Sequence, residues 1–386
     1  MIDIIKLGEL CNKITDGTHH TPTYTNEGIP FLRVTDITKS NNSKKFISHE
    51  EHLELIKRCN PEKGDILYTK NGTIGVAKQI DWDYEFSIFV SLCLLKIKEE
   101  LVDANYLVHY LNTKYALKQA LIHSKKATIS NLHLVEIKKI KIPLPPLPQQ
   151  KKIATILDIA DDYRQKTKSL ITKYDELAQS LFLDMFWDTF KDKNSHTPIS
   201  ELANFIDYRG KTLKKIDNGV PYITAKCVRI GYFNLSRIDY ISRDSYEKIM
   251  TRGYPKVGDV LFTTEGATMG FTCRIPANFT EFSVGQRLIT LQTTKEYNST
   301  VLEFMLNSKQ IQAKIFRLAT GSAVKGIRAA KFKTIEIPVP PIELQNQFAE
   351  RVQAIEAQKV QVQTSLAKAE DLFNCLLQKA FNGELV

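Results

Sequence analysis

Hydrophobic residues fall into two alternating kinds of segment along the chain. In residues 1–145, short runs rich in Val, Ile, Tyr and Phe, such as Ile29 to Val34, Ile66 to Tyr68 and Phe86 to Ile97, are punctuated by Gly, Asn and Asp. Short apolar runs between turn-forming residues predict strands. One stretch, from Val102 to His123, predicts a helix instead, so the segment reads as mixed α/β. The period changes after Pro143, Pro145, Pro146 and Pro148, which predict an extended joint and a fresh helix start near Gln149. Beyond them Ile153, Leu157, Ala160, Arg164, Thr167, Ile171, Tyr174, Ala178, Leu181 and Met185 follow in alternating steps of four and three, and eight of these ten positions are apolar. That spacing is the heptad seam of a coiled coil.

The whole pattern then occurs a second time. At offsets of 191 to 195 residues, Glu9-Leu10 matches Glu201-Leu202, and Gly28-Ile29-Pro30-Phe31 matches Gly219-Val220-Pro221-Tyr222. Gly64-Asp65-Ile66-Leu67 with Gly72 and Gly75 matches Gly258-Asp259-Val260-Leu261 with Gly266 and Gly270. Leu111-Asn112-Thr113-Lys114 matches Leu306-Asn307-Ser308-Lys309, and Ile142-Pro143-Leu144-Pro145-Pro146 matches Ile337-Pro338-Val339-Pro340-Pro341. The helix of the first copy has its counterpart at Thr300 to Leu318, and the seam recurs from Phe348 to Ala380 with Lys359 at the step of Arg164. A period this long excludes a solenoid, so each copy is a domain plus an appendage. The expected layout is domains at 1–145 and 191–340, each followed by a helix, 146–190 and 341–386. Ile153, Leu157, Ile171, Tyr174 and Leu181 are expected to pack on Phe348, Val352, Ile355, Leu366, Phe373 and Leu376 as an antiparallel coiled coil with pseudo-twofold symmetry. The competing reading has each amphipathic helix covering only its own domain, but a seam of five heptads exceeds what one core contact needs.

Charge narrows the class of partner. The 53 Lys and Arg against 43 Asp and Glu leave a formal charge of +10, which favours a polyanion. Between Lys114 and Lys152 there are nine lysines and one acid, Glu136, and between Phe304 and Lys333 seven basic residues and no acid. A charge run is usually a solvated face; recurrence at the matched place in both copies points to DNA. Lys125, Lys126, Thr128 and Ser130 in one copy, and Arg317, Ser322, Lys325 and Arg328 in the other, offer cations and hydroxyls to phosphates. A second candidate loop carries Thr18, His19, His20 and Thr21 after Asp16-Gly17, and its counterpart carries Tyr208, Arg209 and Lys211 after Asp207. A third carries Lys70, Asn71 and Thr73 in the turn after the Gly-Asp strand, matched by Thr264 and Thr268, with Lys226 as a further cation. Frames that match while tips differ fit two domains reading different bases.

Other chemistries find little support. The six cysteines, Cys11, Cys59, Cys93, Cys227, Cys273 and Cys375, form no C-x-x-C pair, and His19-His20 has no further ligand at metal spacing, so no metal site is expected. The phosphate-loop, dinucleotide, zinc-protease and nucleophile-elbow signatures are missing, as is the [ND]-P-P-[YF] tetrad of amino-methyltransferases. The start of the sequence lacks a secretory pattern and its longest apolar stretch is too short to span a bilayer, so a soluble, cytoplasmic, non-catalytic protein is expected.

Two variable α/β domains, the Gly-Asp-Ile-Leu and Gly-Asp-Val-Leu strands, the Ile-Pro-Leu-Pro-Pro and Ile-Pro-Val-Pro-Pro junctions, and Leu376-Leu377-Gln378-Lys379-Ala380-Phe381-Asn382-Gly383-Glu384-Leu385 together resemble the specificity subunits of type I restriction-modification systems. The Asp16 to Pro22 loop with Tyr24 resembles a stretch common in that family's recognition domains. The resemblance implies that each domain reads one half of a bipartite site in double-stranded DNA, and that the helix pair, with roughly 55 Å of helix between Gln150 and Phe186 at 1.5 Å per residue, sets the spacing. It also implies two modification subunits that methylate adenine and two restriction subunits, with S-adenosylmethionine, ATP and Mg belonging to those partners and no cofactor in this chain. Rival classes are a stand-alone DNA-binding regulator that dimerises through its helices, and a nuclease with scattered carboxylates.

Overall fold

The computed structural model describes residues 2–38, 43–122, 131–208, 213–321 and 324–385. They fall into two units, Met1–Ser169 together with Gln363–Val386, and Leu170–Val362.

In the first unit the strands are β1 (Asp3–Lys6), β2 (Cys11–Asp16), β3 (Ile29–Leu32), β4 (Phe46–Ile47), β5 (Ile66–Thr69), β6 (Ala77–Gln79), β7 (Ser87–Ile88), β8 (Leu92–Ile97) and β9 (Lys141–Leu144). Its helices are α1 (Val34–Thr38), α2 (His49–Ile56), α3 (Ala104–Leu111), α4 (Lys114–Ile122), α5 (Leu134–Lys138) and the first part of α6 (Leu147–Lys191). In the second unit come α7 (Ile199–Leu202), α8 (Arg243–Ile249), α9 (Ser299–Asn307), α10 (Lys309–Leu318), α11 (Ala329–Lys333) and the first part of α12 (Ile342–Asn382). Its strands are β10 (His196–Pro198), β11 (Ala203–Asp207), β12 (Val220–Ile223), β13 (Val228–Arg229), β14 (Tyr232–Phe233), β15 (Asp239–Ile241), β16 (Val260–Thr263), β17 (Thr272–Arg274), β18 (Ser283–Val284), β19 (Leu288–Thr293) and β20 (Glu336–Pro338).

Each unit is built around the same antiparallel sheet, ordered β2-β8-β5-β6 in one and β11-β19-β16-β17 in the other. The apolar runs of β5 and β8 are unbroken because both faces of the sheet are covered. Ile66, Tyr68, Cys93 and Leu95 face the helices, while Leu67, Leu92 and Leu94 face a second core with Leu32, Ile80, Phe86 and Ile88. The second unit repeats this with Val260, Phe262, Ile289 and Leu291 on one side, and Leu261 and Leu288 on the other. A small three-stranded sheet, β4-β3-β7 or β15-β12-β18, carries one parallel pair in each unit.

The helix expected from Val102 to His123 is two helices, α3 and α4, and its counterpart is also two, α9 and α10. The break is the matched Leu-Asn-Thr/Ser-Lys motif. Asn112 leaves the helix to bond the Ala77 backbone from both ends of its amide, at 2.9 and 3.0 Å, and Asn307 donates to Thr272 O at 2.9 Å. Thr113 and Ser308 then accept from Ala116 N and Ile311 N and cap the second helix.

The long helices pair as expected, with a correction to the seam. In the second unit Phe182 and Phe186 lie against Phe348 with centroids 5.7 and 5.2 Å apart, Met185 Sδ is 3.9 Å from Arg351, and Asp175 pairs with Lys359. Rising numbers on α12 meet falling numbers on α6, so the pair is antiparallel. In the first unit Ile153 and Leu157 share a core with Phe373 and Ala380, and the Arg164 guanidinium lies 4.3 Å over the Phe373 ring. Ile153, Leu157, Phe348, Val352 and Phe373 are buried, whereas Ile171, Tyr174, Leu181, Ile355, Leu366 and Leu376 are half-buried, as the flanks of a two-helix seam must be. Phe182 and Phe186, which the four-three spacing passes over, are both fully buried. They lie in the core of the second unit, where Phe182 also meets Phe304 at 5.7 Å, whereas coverage of the preceding domain by α6 falls to Ile153 and Leu157. Helix α6 starts at Leu147, with Pro148 in its first turn where no N–H is needed, and its 45 residues span about 68 Å. Among the described residues no helix is long and apolar enough to cross a membrane.

Candidate nucleic-acid interface

In the first unit three separate segments meet at one end of the sheet. Strand β2 delivers Asp16, whose side chain is only 4% exposed. Its carboxylate receives Lys70 Nζ at 3.0 Å, from the residue after β5, together with the Arg58 guanidinium and His19 Nε2 at 3.2 Å. Burial alone would raise the Asp16 carboxyl, but the bonds and charges of Lys70 and His19 outweigh it and hold the group below the ordinary aspartate value. Gly17 lies so close to β7 that a Cβ on it would stand 2.0 Å from Ile88 O. This approach lets Thr18 N donate to Ile88 O at 3.1 Å and Thr18 O accept from Val90 N at 2.9 Å. The loop is therefore stitched to the small sheet, and its tip is offered to solvent.

The turn after β5 anchors the third segment. Leu132 N donates to Lys70 O at 2.9 Å, and Asn131 bridges to Asn71. The second unit reproduces these bonds one repeat later: Ile327 N donates to Thr264 O at 2.8 Å, Thr264 N to Arg287 O at 2.9 Å as Lys70 N does to Ser91 O, and Gly270 N to Thr263 O as Gly75 N does to Thr69 O. Gly75 and Gly270 have φ of 91° and 87°, a left-handed conformation that favours glycine at this shared turn. Gly266 N also reaches Lys325 O, and Thr264, Glu265, Thr320, Gly321 and Arg328 help to line a polar concavity of about 500 Å³.

The candidates separate into presented and framing residues. His19, His20, Thr21 and Thr73 are exposed and Asn71 is half-buried; in the second unit Lys226, Arg317, Lys325 and Arg328 are exposed and Thr268 is half-buried. Lys226 and Arg317 stand on other elements, after β12 and on α10. Lys70, grouped with the presenting residues on sequence grounds, is instead buried against Asp16. Thr18 is also buried, its Oγ1 2.8 Å from His20 Nδ1, and Thr264 Oγ1 donates to Arg287 O at 3.1 Å. Tyr208 is buried with its hydroxyl on Gly253 O. These four shape the loops from within. Lys125, Lys126, Thr128, Ser130, Arg209, Lys211 and Ser322 lie outside the described residues. Among the described residues no group of three or more His, Cys, Asp or Glu could hold a metal ion.

Three arginines lie beside these loops that the sequence candidates do not include. Arg58 and Arg252 occupy matched places, the first on the Asp16 carboxylate and the second donating to Asp207 O at 2.7 Å. Arg287, 60% exposed and 2.9 Å from Glu265, is a third. The repeat offset would have paired Arg58 with Arg252; Arg287 carries no such signal, since Ser91 stands in its place.

Comparison with known proteins gives this frame a family. Residues 2–173 and 193–369 match the type I restriction modification DNA specificity domain. The EcoKI specificity subunit of Escherichia coli K12 is 25% identical over 392 residues, covering 92% of this chain and 82% of that protein. The putative MjaX specificity subunit of Methanocaldococcus jannaschii is 25% identical over 365 residues, covering 85% and 80%. The fold is similar to the crystal structure of an S subunit from M. genitalium, with a TM-score of 0.60 at 18% identity over 98% of this chain and 96% of that one. A second chain, from a study of complex assembly in the type I R-M system, gives a TM-score of 0.56 at 17% identity over 99% and 98%. The family model spans both copies of the duplicated frame, and the chain belongs to the family of type I restriction-modification DNA specificity subunits.

Proposed function

We propose that each unit reads one half of an asymmetric, gapped site in double-stranded DNA, on behalf of modification and restriction subunits that carry out the chemistry. The observation that carries this reading is the duplicated frame with unlike tips. The same hydrogen bonds hold the turn after β5 and after β16, yet one cluster presents His19, His20, Thr21 and Thr73, and the other Lys325, Arg328 and the Arg287–Glu265 pair. Imidazoles and hydroxyls meet base edges and phosphates differently from guanidinium and ammonium groups, so unlike half-sites follow. The net charge of +10 supplies the non-specific attraction to phosphate. In this reading two modification subunits with S-adenosylmethionine methylate adenine, two restriction subunits use ATP and Mg, and this chain fixes the register of the duplex.

The test is co-purification of the tagged chain with its genomic neighbours, followed by mapping of adenine methylation on a plasmid. Recovery of a methyltransferase and methylation at a two-part gapped sequence, with exchange of residues 1–145 altering one half only, is expected. A chain that purifies alone and binds a specific sequence tightly, with no such partner, would overturn the assignment.

A further inference from the structure

The joint between each domain and the helix that follows it is an unusual piece of backbone. Pro143, Pro145 and Pro146, and again Pro338, Pro340 and Pro341, have no N–H, so these residues can only accept hydrogen bonds. Both units supply donors in the same geometry. In the first, Gln150 on the opening turn of α6 is 1% exposed; its Nε2 donates to Pro145 O at 2.8 Å and Leu101 O at 3.0 Å, and its Oε1 accepts from Asp103 N at 2.9 Å. In the second, Gln345 is fully buried; its Nε2 donates to Pro340 O at 2.7 Å and Glu296 O at 3.1 Å, and its Oε1 accepts from Asn298 N at 2.8 Å. A tyrosine hydroxyl closes the other side: Tyr106 donates to Pro143 O at 2.6 Å and Tyr297 to Pro338 O at 2.9 Å. Asp103 and Asn298 are themselves the caps of α3 and α9, so each glutamine ties a long helix to the first turn of a domain helix.

We propose that Gln150 and Gln345 are positioning residues that lock each recognition domain to its own helix at one angle, and so make the helix pair a ruler with a fixed reading. The inference rests on the proposed function and concerns spacer length, not base identity. A long helix transmits a distance only if its ends are rigid. Pairing of β9 with β1, burial of Ile153 and Leu157, and the bonds from Asn105 and His109 to Asp158 seat α6 on the domain, and the glutamine adds the bonds that fix the backbone between strand and helix at Pro145 O and Leu101 O. Amides at these positions are buried and fully bonded, which leaves no capacity for contact with DNA, so their effect must pass through the joint.

The experiment uses the complex assembled with its modification subunits. Methylation rates are measured on duplexes with both half-sites intact and a spacer of the native length, one base pair shorter or one longer, and on duplexes of native spacer with a single wrong base in either half. Gln150→Met keeps the volume and removes all three side-chain bonds. The expected result is that the preference for the native spacer falls about tenfold, as loss of net hydrogen bonding of this size allows, while discrimination against wrong bases stays within about twofold of wild type. Tyr106→Phe, which removes one bond without opening the core, should give a smaller change in the same direction, and Gln345→Met should act like Gln150→Met. Amide exchange at Asp103, slow in the wild type, should accelerate in Gln150→Met. Unchanged spacer preference in both glutamine variants overturns the inference, and so does a parallel fall in spacer and base discrimination, which would mark a general structural role. If the wild-type complex methylates no two-part site at all, the underlying reading of function fails instead.

Discussion

Asp16→Asn is the substitution with the most decisive consequences. The wild-type carboxylate has three cationic partners, but they are unequal. Arg58 and His19 are 54% and 62% exposed, so water takes over most of what they lose, and each contributes at most a few tenths of a kcal/mol. Lys70 is 5% exposed and 3.0 Å away; with the carboxylate gone it is left as a buried ammonium. Breaking a buried pair in this way costs about 3 to 5 kcal/mol, and relaxation of a flexible lysine towards solvent places the expected cost near the lower bound, about 3 kcal/mol. Replacing both partners, as Asp16→Asn with Lys70→Met, removes the stranded charge and should recover all but about 1 kcal/mol. The assay is urea unfolding followed by circular dichroism, with the two single variants and the double variant closing a thermodynamic cycle. Acidity gives a second handle. The Asp16 carboxyl is depressed in the fold, so its contribution is complete above the ordinary aspartate value near 4 and is lost as the pH falls through the lower folded value. The gap between wild type and Asp16→Asn should thus stay constant from about pH 7 to about pH 5 and narrow in stronger acid. A cost below about 0.5 kcal/mol for Asp16→Asn, or a double variant as unstable as the sum of the singles, would refute the view that Asp16 and Lys70 form one buried unit.

Gly17→Ala places a Cβ 2.0 Å from Ile88 O, where rigid backbone must give way. We expect a loss of about 2 kcal/mol in urea unfolding and weaker discrimination at the half-site read by the first unit only; equal effects on both half-sites would contradict the assignment of that loop. Thiol labelling should modify one cysteine in the folded chain and six in denaturant, because Cys375 is exposed while Cys11, Cys59, Cys93, Cys227 and Cys273 are buried. Burial pushes the thiols of Cys11 and Cys59 up to about 12, which keeps them protonated as well as hidden; mass spectrometry of the alkylated native protein counts the labels.

What could be read in the sequence was whatever repeats as residue type. The Gly-Asp strands, the Leu-Asn-Thr/Ser-Lys motif and the proline joint all stand at a nearly constant offset, and each proves to be a frame element. The break between α3 and α4 was hidden although its residues had been matched, because an asparagine that leaves a helix to bond a neighbouring strand looks like any exposed helical asparagine until the strand is placed. Lys70 misled for a similar reason: a lysine after a strand, next to Asn-Gly, reads as a solvated tip, and only the partner at Asp16, 54 positions earlier, turns it inward. The buried glutamines do carry a sequence signal, since Gln150 and Gln345 are 195 residues apart, the offset of the joint itself.

The tyrosines of the joint do not stand at 195, the offset of the motifs around them, and they show what the two copies share. Shifting Tyr106 by 195 residues lands on Val301, and shifting Val102 lands on Tyr297; the two copies have exchanged a valine and a tyrosine four positions apart, one just before the domain helix and one in its first turn. All four side chains are essentially fully buried, at 0 or 1% exposure, so the exchange conserves the volume packed there. It also conserves the chemistry, because both hydroxyls reach the corresponding proline carbonyl, Pro143 O or Pro338 O. A buried tyrosine needs a partner for its hydroxyl and a proline-rich strand needs donors for its carbonyls, so either position suffices provided one of them supplies the hydroxyl. The hydroxyl reaches the proline carbonyl from either position, so what the two copies share at the joint is the hydrogen bond and not the position that supplies it.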